Sequence, residues 1–230
     1  MKTLPSRLMA AAGANLVTPI PAVIQAVGNN VSGTSTSPSI SAVKEESLLV
    51  ACVCQYTGNL SPTLSVTDSA GQSWTAGTAV EALFQTNYGV ARMFYFPNSE
   101  PITTVTAHST QTGYLCVYFF EVTGIALASP ADVVANTSGG GTTASSGSLT
   151  GAATAQNIEV AIGMVATAGV STTLTPTGGD GWTFPSQESQ SNARLQPAYQ
   201  VLSSEEALTL AGSFSPNTYW ADLFMTFKAI

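Results

Sequence analysis

The stretch Leu48–Trp74, LLVACVCQYTGNLSPTLSVTDSAGQSW, decides the reading of the fold. An apolar run of strand-forming residues leads into a Thr/Ser/Pro segment, a turn carrying Asp68 and Gly71, and a tryptophan. The same features return in the same order in Ile158–Trp182, IEVAIGMVATAGVSTTLTPTGGDGW. Beyond Trp74 come YGVARMFYF and ITTVTAHSTQTGYLCVYFFEV; beyond Trp182 come LQPAYQVL and ALTLAGSFSPNTYWADLFMTFKA. Because four successive features keep their order and rough spacing, the chain reads as two pseudo-repeated halves, about 45–124 and 155–230. Convergent use of one strand pattern is the alternative to duplication.

Working outward, runs rich in Val, Ile, Thr, Tyr and Phe, bounded by Gly, Pro, Asn and Ser, predict strands over 39–43, 47–56, 63–67, 73–84, 88–96, 102–108 and 113–122. In the second half they predict strands over 157–166, 171–177, 182–189, 195–202, 207–214 and 218–229. Only SRLMAAAGANL, 6–16, offers a helix. Neither half has enough faces to bury a core by itself. The expected fold is therefore all-β, a single large antiparallel β-sandwich of jelly-roll-like type over 37–230, preceded by an N-terminal arm and first strand over 1–36. The segment NTSGGGTTASSGS, 136–148, lacks apolar periodicity and reads as an exposed flexible loop joining the halves. Two separate small domains linked there are the alternative.

The strand faces carry a further expectation. Leu48, Val50, Cys52 and Cys54 alternate with Leu49, Ala51 and Val53, so both faces of that strand are apolar, and YLCVYFFEV behaves likewise. Such strands want cover on their outer side, from a loop or arm of the same chain or from another subunit.

Composition narrows the function classes. Charged residues make up 8% of the 230, against about a quarter in an average globular protein, so hydroxyl, amide and glycine groups must cover the surface. The net charge is −7, and the six cations, Lys2, Arg7, Lys44, Arg92, Arg194 and Lys228, are scattered. Phosphate-backbone binding needs a basic stripe, so no nucleic-acid partner is expected. No run approaches the roughly 18 apolar residues of a membrane-spanning helix, so no membrane role is expected. Cys52, Cys54 and Cys116 read as small buried hydrophobes, and their odd number points to assembly in a reducing cytoplasm. Met1–Pro21 superficially resembles a secretory signal, but its apolar part is short and broken by Gly13 and Asn15. It reads as a retained arm, with Leu8, Met9, Leu16, Val17 and Ile20 available to lie on a neighbouring chain.

No chemistry-bearing constellation emerges. His108 is the sole histidine, so a two-His or three-His metal site cannot form within one chain, and a Ser-His-Asp triad would need that same residue without a G-x-S-x-G elbow to match it. Glu121 and Glu159 fall inside apolar strands and read as acids on the solvent-facing side; Asp68 and Asp180 read as turn residues. Gly139, Gly140 and Gly141 precede no phosphate-binding helix. The expectation is no catalytic residue, no cofactor and no metal. Trp74, Trp182 and Trp220 remain as candidate ligand or interface aromatics; the repeated placement of the first two after a turn suits a plug sealing the sandwich end better than a sugar platform.

The segments SLLVACV, VTDSAGQSW (with Asp68, Gly71 and Trp74), FFEVTG and ADLFMTFK resemble β-sandwich structural proteins of tailed-phage virions and related bacterial surface modules, over about Ser37 to Ile230. The resemblance implies a non-enzymatic virion protein, most concretely a head decoration or cement protein, assembled in the host cytoplasm and packing against copies of itself and the major capsid protein. A carbohydrate-binding or adhesion module is the alternative. A hydrolase on a jelly-roll scaffold is the weakest reading, for want of a base and a nucleophile.

Overall fold

The computed structural model describes residues 19–58, 61–84, 88–140, 146–169, 173–176 and 181–230. All regular elements among them are strands, paired antiparallel. The first half begins with β1 (Ala22–Thr36), β2 (Leu48–Tyr56) and β3 (Leu64–Asp68) and continues with β4 (Thr75–Phe84), β5 (Gly89–Phe96) and β6 (Val105–Thr123). They form one sheet in the order β1-β6-β2-β5-β4, with β3 attached to the leading end of β6. The second half comprises β7 (Ala131–Gly139), β8 (Ser146–Ala153), β9 (Glu159–Ala168), β10 (Thr173–Pro176), β11 (Glu188–Gln190), β12 (Ala193–Leu202), β13 (Ala207–Ser215) and β14 (Tyr219–Lys228). These make a large sheet ordered β11-β12-β9-β14-β7 and a small one ordered β10-β13-β8.

The two large sheets pack face to face as a β-sandwich. Alternation explains the central core: Leu48, Val50, Cys52 and Cys54 from one sheet meet Val160, Ile162 and Met164 from the other, joined by Phe120 and Phe227. The opposite faces are equally dry. Leu49, Ala51, Val53, Val117 and Phe119 are covered by Leu64 and Val66 of β3, the leading part of β6, and Val43 and Ile102 from connecting segments. On the other sheet, Ala161, Val165, Ala198 and Phe224 lie under Leu174, Leu208, Leu210 and Phe214 of the small sheet, and under Trp182. The cover demanded by the two-faced strands is thus supplied by the same chain, without a second subunit.

Strand order is matched between the sheets. The run β6-β2-β5-β4 in one corresponds to β14-β9-β12-β11 in the other, with β1 beside β6 and β7 beside β14. One difference is structural. In the first half a single strand, β6, passes from the covering layer into the wall; Gly113 lies within it, where a Cβ would sit 2.6 Å from the Tyr56 carbonyl oxygen. In the second half β13 lies in the cover and β14 in the wall, with residues 216–218 between them.

Several expectations need correction. Residues 39–43 form no strand; Val43 donates its N–H to the Ile102 carbonyl, and the segment lies over the sheet as cover. The strands expected over 102–108 and 113–122 are one continuous strand. Over 182–189 only the end is strand, preceded by an isolated bridge between Thr183 and Tyr199. The 136–148 segment is no loop at its two ends: Asn136–Gly139 belong to β7, paired with β14, and Ser146–Ser148 to β8, paired with β13. Polar composition there reflects strand positions at sheet borders, where one side of each ladder faces away from the core. The helix expected over 6–16 lies outside the described residues.

Candidate functional site

The expected aromatic candidates do not converge. Trp74 is half-buried against the first covering layer, and its indole N–H donates to Asp68 Oδ2 at 2.7 Å. Trp182 is buried under the second cover and donates to the Thr209 carbonyl at 3.0 Å. Trp220 is half-buried and stacked on Phe214, with ring centroids 6.4 Å apart and planes 20° from parallel. All three rings pack against other side chains, and the indole N–H groups of Trp74 and Trp182 are hydrogen-bonded.

The acids are where the sequence reading errs. Glu121 and Glu159 do not face solvent; both are buried, because each large sheet is covered on both faces. Glu121 is fully engaged: Gln25 Nε2 donates to it at 2.6 Å, the Lys44 backbone N–H at 2.9 Å and the Ser47 hydroxyl at 3.1 Å. Glu159 lies beside Thr226 and Asp132, and among the described residues neither of its carboxylate oxygens is held in a well-formed hydrogen bond. Its burial, together with the nearby charge of Asp132, pushes its carboxyl up from 4.5 to about 7, against the opposing pull of Thr226 and Lys228. Asp222, which sequence reasoning passed over, is likewise buried, with both oxygens unpartnered among the described residues, and burial pushes it up to about 8. It faces the second cover, alternating with Ala221 and Leu223, which point into the central core. Thr167 has a buried, unpartnered hydroxyl in the same sheet, directly opposite Trp220.

His108 Nε2 lies 2.8 Å from the Thr67 hydroxyl in a side-chain hydrogen bond. No three His, Cys, Asp or Glu side chains are grouped so as to hold a metal ion among the described residues. A hollow of about 280 Å³ is bordered by Glu45, Glu46 and Glu100, turn residues around Asn98 and Ser99.

What the fold does gather is apolar surface at one end. Of the six exposed large apolar side chains among the described residues, Ile20, Ile24, Leu127 and Ile230 come from segments that meet around Gly124. The Ile230 N–H donates to the Gly124 carbonyl at 3.2 Å, and the Ala126 N–H to the Lys228 carbonyl at 2.9 Å. The Ile20–Pro21 backbone crosses Gly124 so closely that a Cβ there would lie 3.2 Å from the Ile20 carbonyl oxygen; Gly124 also has a φ of +77°, the left-handed region that glycine tolerates. Beside this end runs a groove of about 220 Å³ between Gln156–Ile158 and Ala229–Ile230. Of the expected arm residues, Ile20 stands 71% exposed here, while Leu8, Met9, Leu16 and Val17 lie outside the described residues. Sequence alone could not collect these positions, since they come from the start, middle and end of the chain. No protein-family model matches the chain, and a search of curated proteins returns no match.

Proposed function

We propose that the chain is a non-enzymatic structural protein of a tailed-phage virion, a capsid decoration or cement-type protein assembled in the host cytoplasm, whose partners are copies of itself and other virion proteins such as the major capsid protein. The observation that supports this reading is the apolar end formed by Ile20, Leu127 and Ile230 where the N-terminal segment enters the sandwich. Apolar groups left exposed at one end of an otherwise self-covered molecule suit a docking face, and burying them contributes about 25 cal/mol per Å². The low surface charge suits packing against neighbours. The buried or hydrogen-bonded state of Trp74 and Trp182 weighs against the carbohydrate-binding alternative.

The test is incorporation. A chain lacking Met1–Pro21, or carrying Ile20→Asp with Ile230→Asp, should be lost from purified particles while its circular dichroism spectrum stays that of the parent. Incorporation at the parental level by either variant would refute the proposal.

A further inference from the structure

Four strands bound the two large sheets: β1 and β4 in one, β7 and β11 in the other. Exposed strand edges are ordinarily guarded by charge, proline or brevity, because their free N–H and C=O groups invite another strand. β4 contains Glu81, β7 contains Asp132, and β11 is 3 residues long and contains Glu188. β1 has none of these guards. It is 15 residues long, AVIQAVGNNVSGTST, with neither a charged residue nor a proline. One side is paired with β6 from Ala22 to Thr36, and among the described residues no strand pairs with the other.

β1 is also held ready for pairing. Gln25 Nε2 donates to the Ser41 carbonyl at 3.1 Å, Asn29 Nδ2 to the Ser37 carbonyl at 2.8 Å and Asn30 Nδ2 to Glu188 Oε2 at 2.6 Å, so its amide side chains are already engaged within the chain. What remains open, among the described residues, is the backbone edge, in a fixed conformation whose ordering cost is already met before a partner arrives.

The register identifies that partner. The ladder with β6 is interrupted twice, between Val23 and Gln25 and between Gly33 and Ser35, leaving a regular run from Gln25 to Gly33. Asn29 is the midpoint of that run and of the whole strand, and its side chain is exposed. An antiparallel copy of β1 centred on Asn29 therefore lays regular run on regular run and irregularity on irregularity. β1 itself carries no charged residue, so the ladder formed by two copies would contain no carboxylate of its own; Glu188 of β11 lies on one face of β1, held by Asn30.

We infer that β1 is the surface on which a second copy of this chain docks, edge to edge and antiparallel about Asn29, so that the sheet β1-β6-β2-β5-β4 continues into its counterpart. The contact is isologous and closes with two molecules. The inference deepens the assembly reading, naming one self-contact, and in that sense rests on it.

The experiment uses the full chain. Light scattering and sedimentation from about 1 to about 200 µM, the range of an ordinary reversible dimer, should show a species of twice 23.6 kDa. Asn29→Lys and Asn29→Glu should each weaken dimerisation at least about tenfold, equivalent to about 1.4 kcal/mol, by setting like charges opposite one another, and an equimolar mixture of the two should restore it. Asn29→Cys should oxidise to a disulfide-linked dimer, because directly opposed antiparallel positions lie within disulfide reach, whereas Thr75→Cys on β4 should not. A chain that stays monomeric throughout, a dimer indifferent to both charges, or an Asn29→Cys variant that links no better than Thr75→Cys would overturn the inference. None of these results bears on incorporation through Met1–Pro21, so the two proposals fail separately.

Discussion

The indole N–H of Trp74 and the carboxylate of Asp68 are joined at 2.7 Å, six residues apart, and that bond closes a turn. The same carboxylate accepts from the Ala70 N–H at 2.9 Å, the Gln72 N–H at 3.2 Å and Gln72 Nε2 at 3.1 Å. One acid thus satisfies four donors, which is the turn chemistry expected of Asp68. Asp68→Ala should destabilise the protein by about 1–3 kcal/mol, since donors lose their acceptor in a partly buried place. The fluorescence of Trp74 should shift to the red as its ring loosens. Melting and emission spectra unchanged from the parent would show that the turn holds without the acid.

Asp222 gives a pH dependence whose sign can be fixed. Its carboxyl is raised from 3.8 to about 8 by burial, so the folded chain holds a proton that the unfolded chain releases near pH 4. Stability from this group is full below about pH 4 and is lost as pH rises through about 8; Glu159, raised from 4.5 to about 7, acts in the same direction. Asn at position 222 cannot ionise. Asp222→Asn should therefore gain on the parent steadily as pH climbs across that window, by on the order of a few kcal/mol at its upper end. Chemical denaturation at several pH values measures it, and a difference independent of pH would contradict the assignment.

The three thiols should be inert in the native state. Cys52, Cys54 and Cys116 are free and buried, and Cys54 stands directly opposite Cys116 in the β2–β6 ladder. Burial holds the Cys52 thiol up, while the hydrogen bond with Cys116 and then burial do so for Cys54. Because the thiolate is the reactive form, a thiol reagent at neutral pH should find none in the folded protein and three after unfolding. Rapid native labelling would place the central core in contact with solvent.

Gly163 marks a close approach between the second wall and its cover. A Cβ there would lie 2.7 Å from Leu210 Cδ2 and 3.0 Å from both the Leu223 carbonyl oxygen and Phe224 Cβ. Gly163→Ala should cost about 1–3 kcal/mol through overpacking, lowering the melting temperature by about 2–4 °C per kcal/mol in a chain of this size. Leu210→Ala in the same chain should recover part of that loss, and a null effect would mean the cover yields freely.

How much of this was legible follows from what each residue reports. Leu48–Cys54 and Tyr219–Lys228 announced their strands because both pairing and burial act on their own side chains. β1 was expected only as a first strand somewhere within 1–36, since GNNVSGTST is polar and becomes a strand through the ladder offered by Ala107–Tyr118, far away in sequence. Ser39–Val43 erred the other way, apolar enough for a strand yet used as cover. Glu121, Glu159 and Asp222 were misread or missed for one reason: alternation tells which residues share a face, and nothing local tells whether that face is covered. The gathering of Ile20, Leu127 and Ile230 around Gly124 depends on chain closure, which no short window of sequence contains.

The unbroken course of β6, set against the division of its counterpart into β13 and β14, makes the two shields mechanically unequal. In the first half one ribbon serves wall and shield, so an insertion into the shield is wired directly into the wall's ladder. The second shield is a separable plate, and foreign peptide spliced into it would leave the neighbouring ladder whole. The molecule thereby has one tolerant side, suited to display, and one that must be left alone.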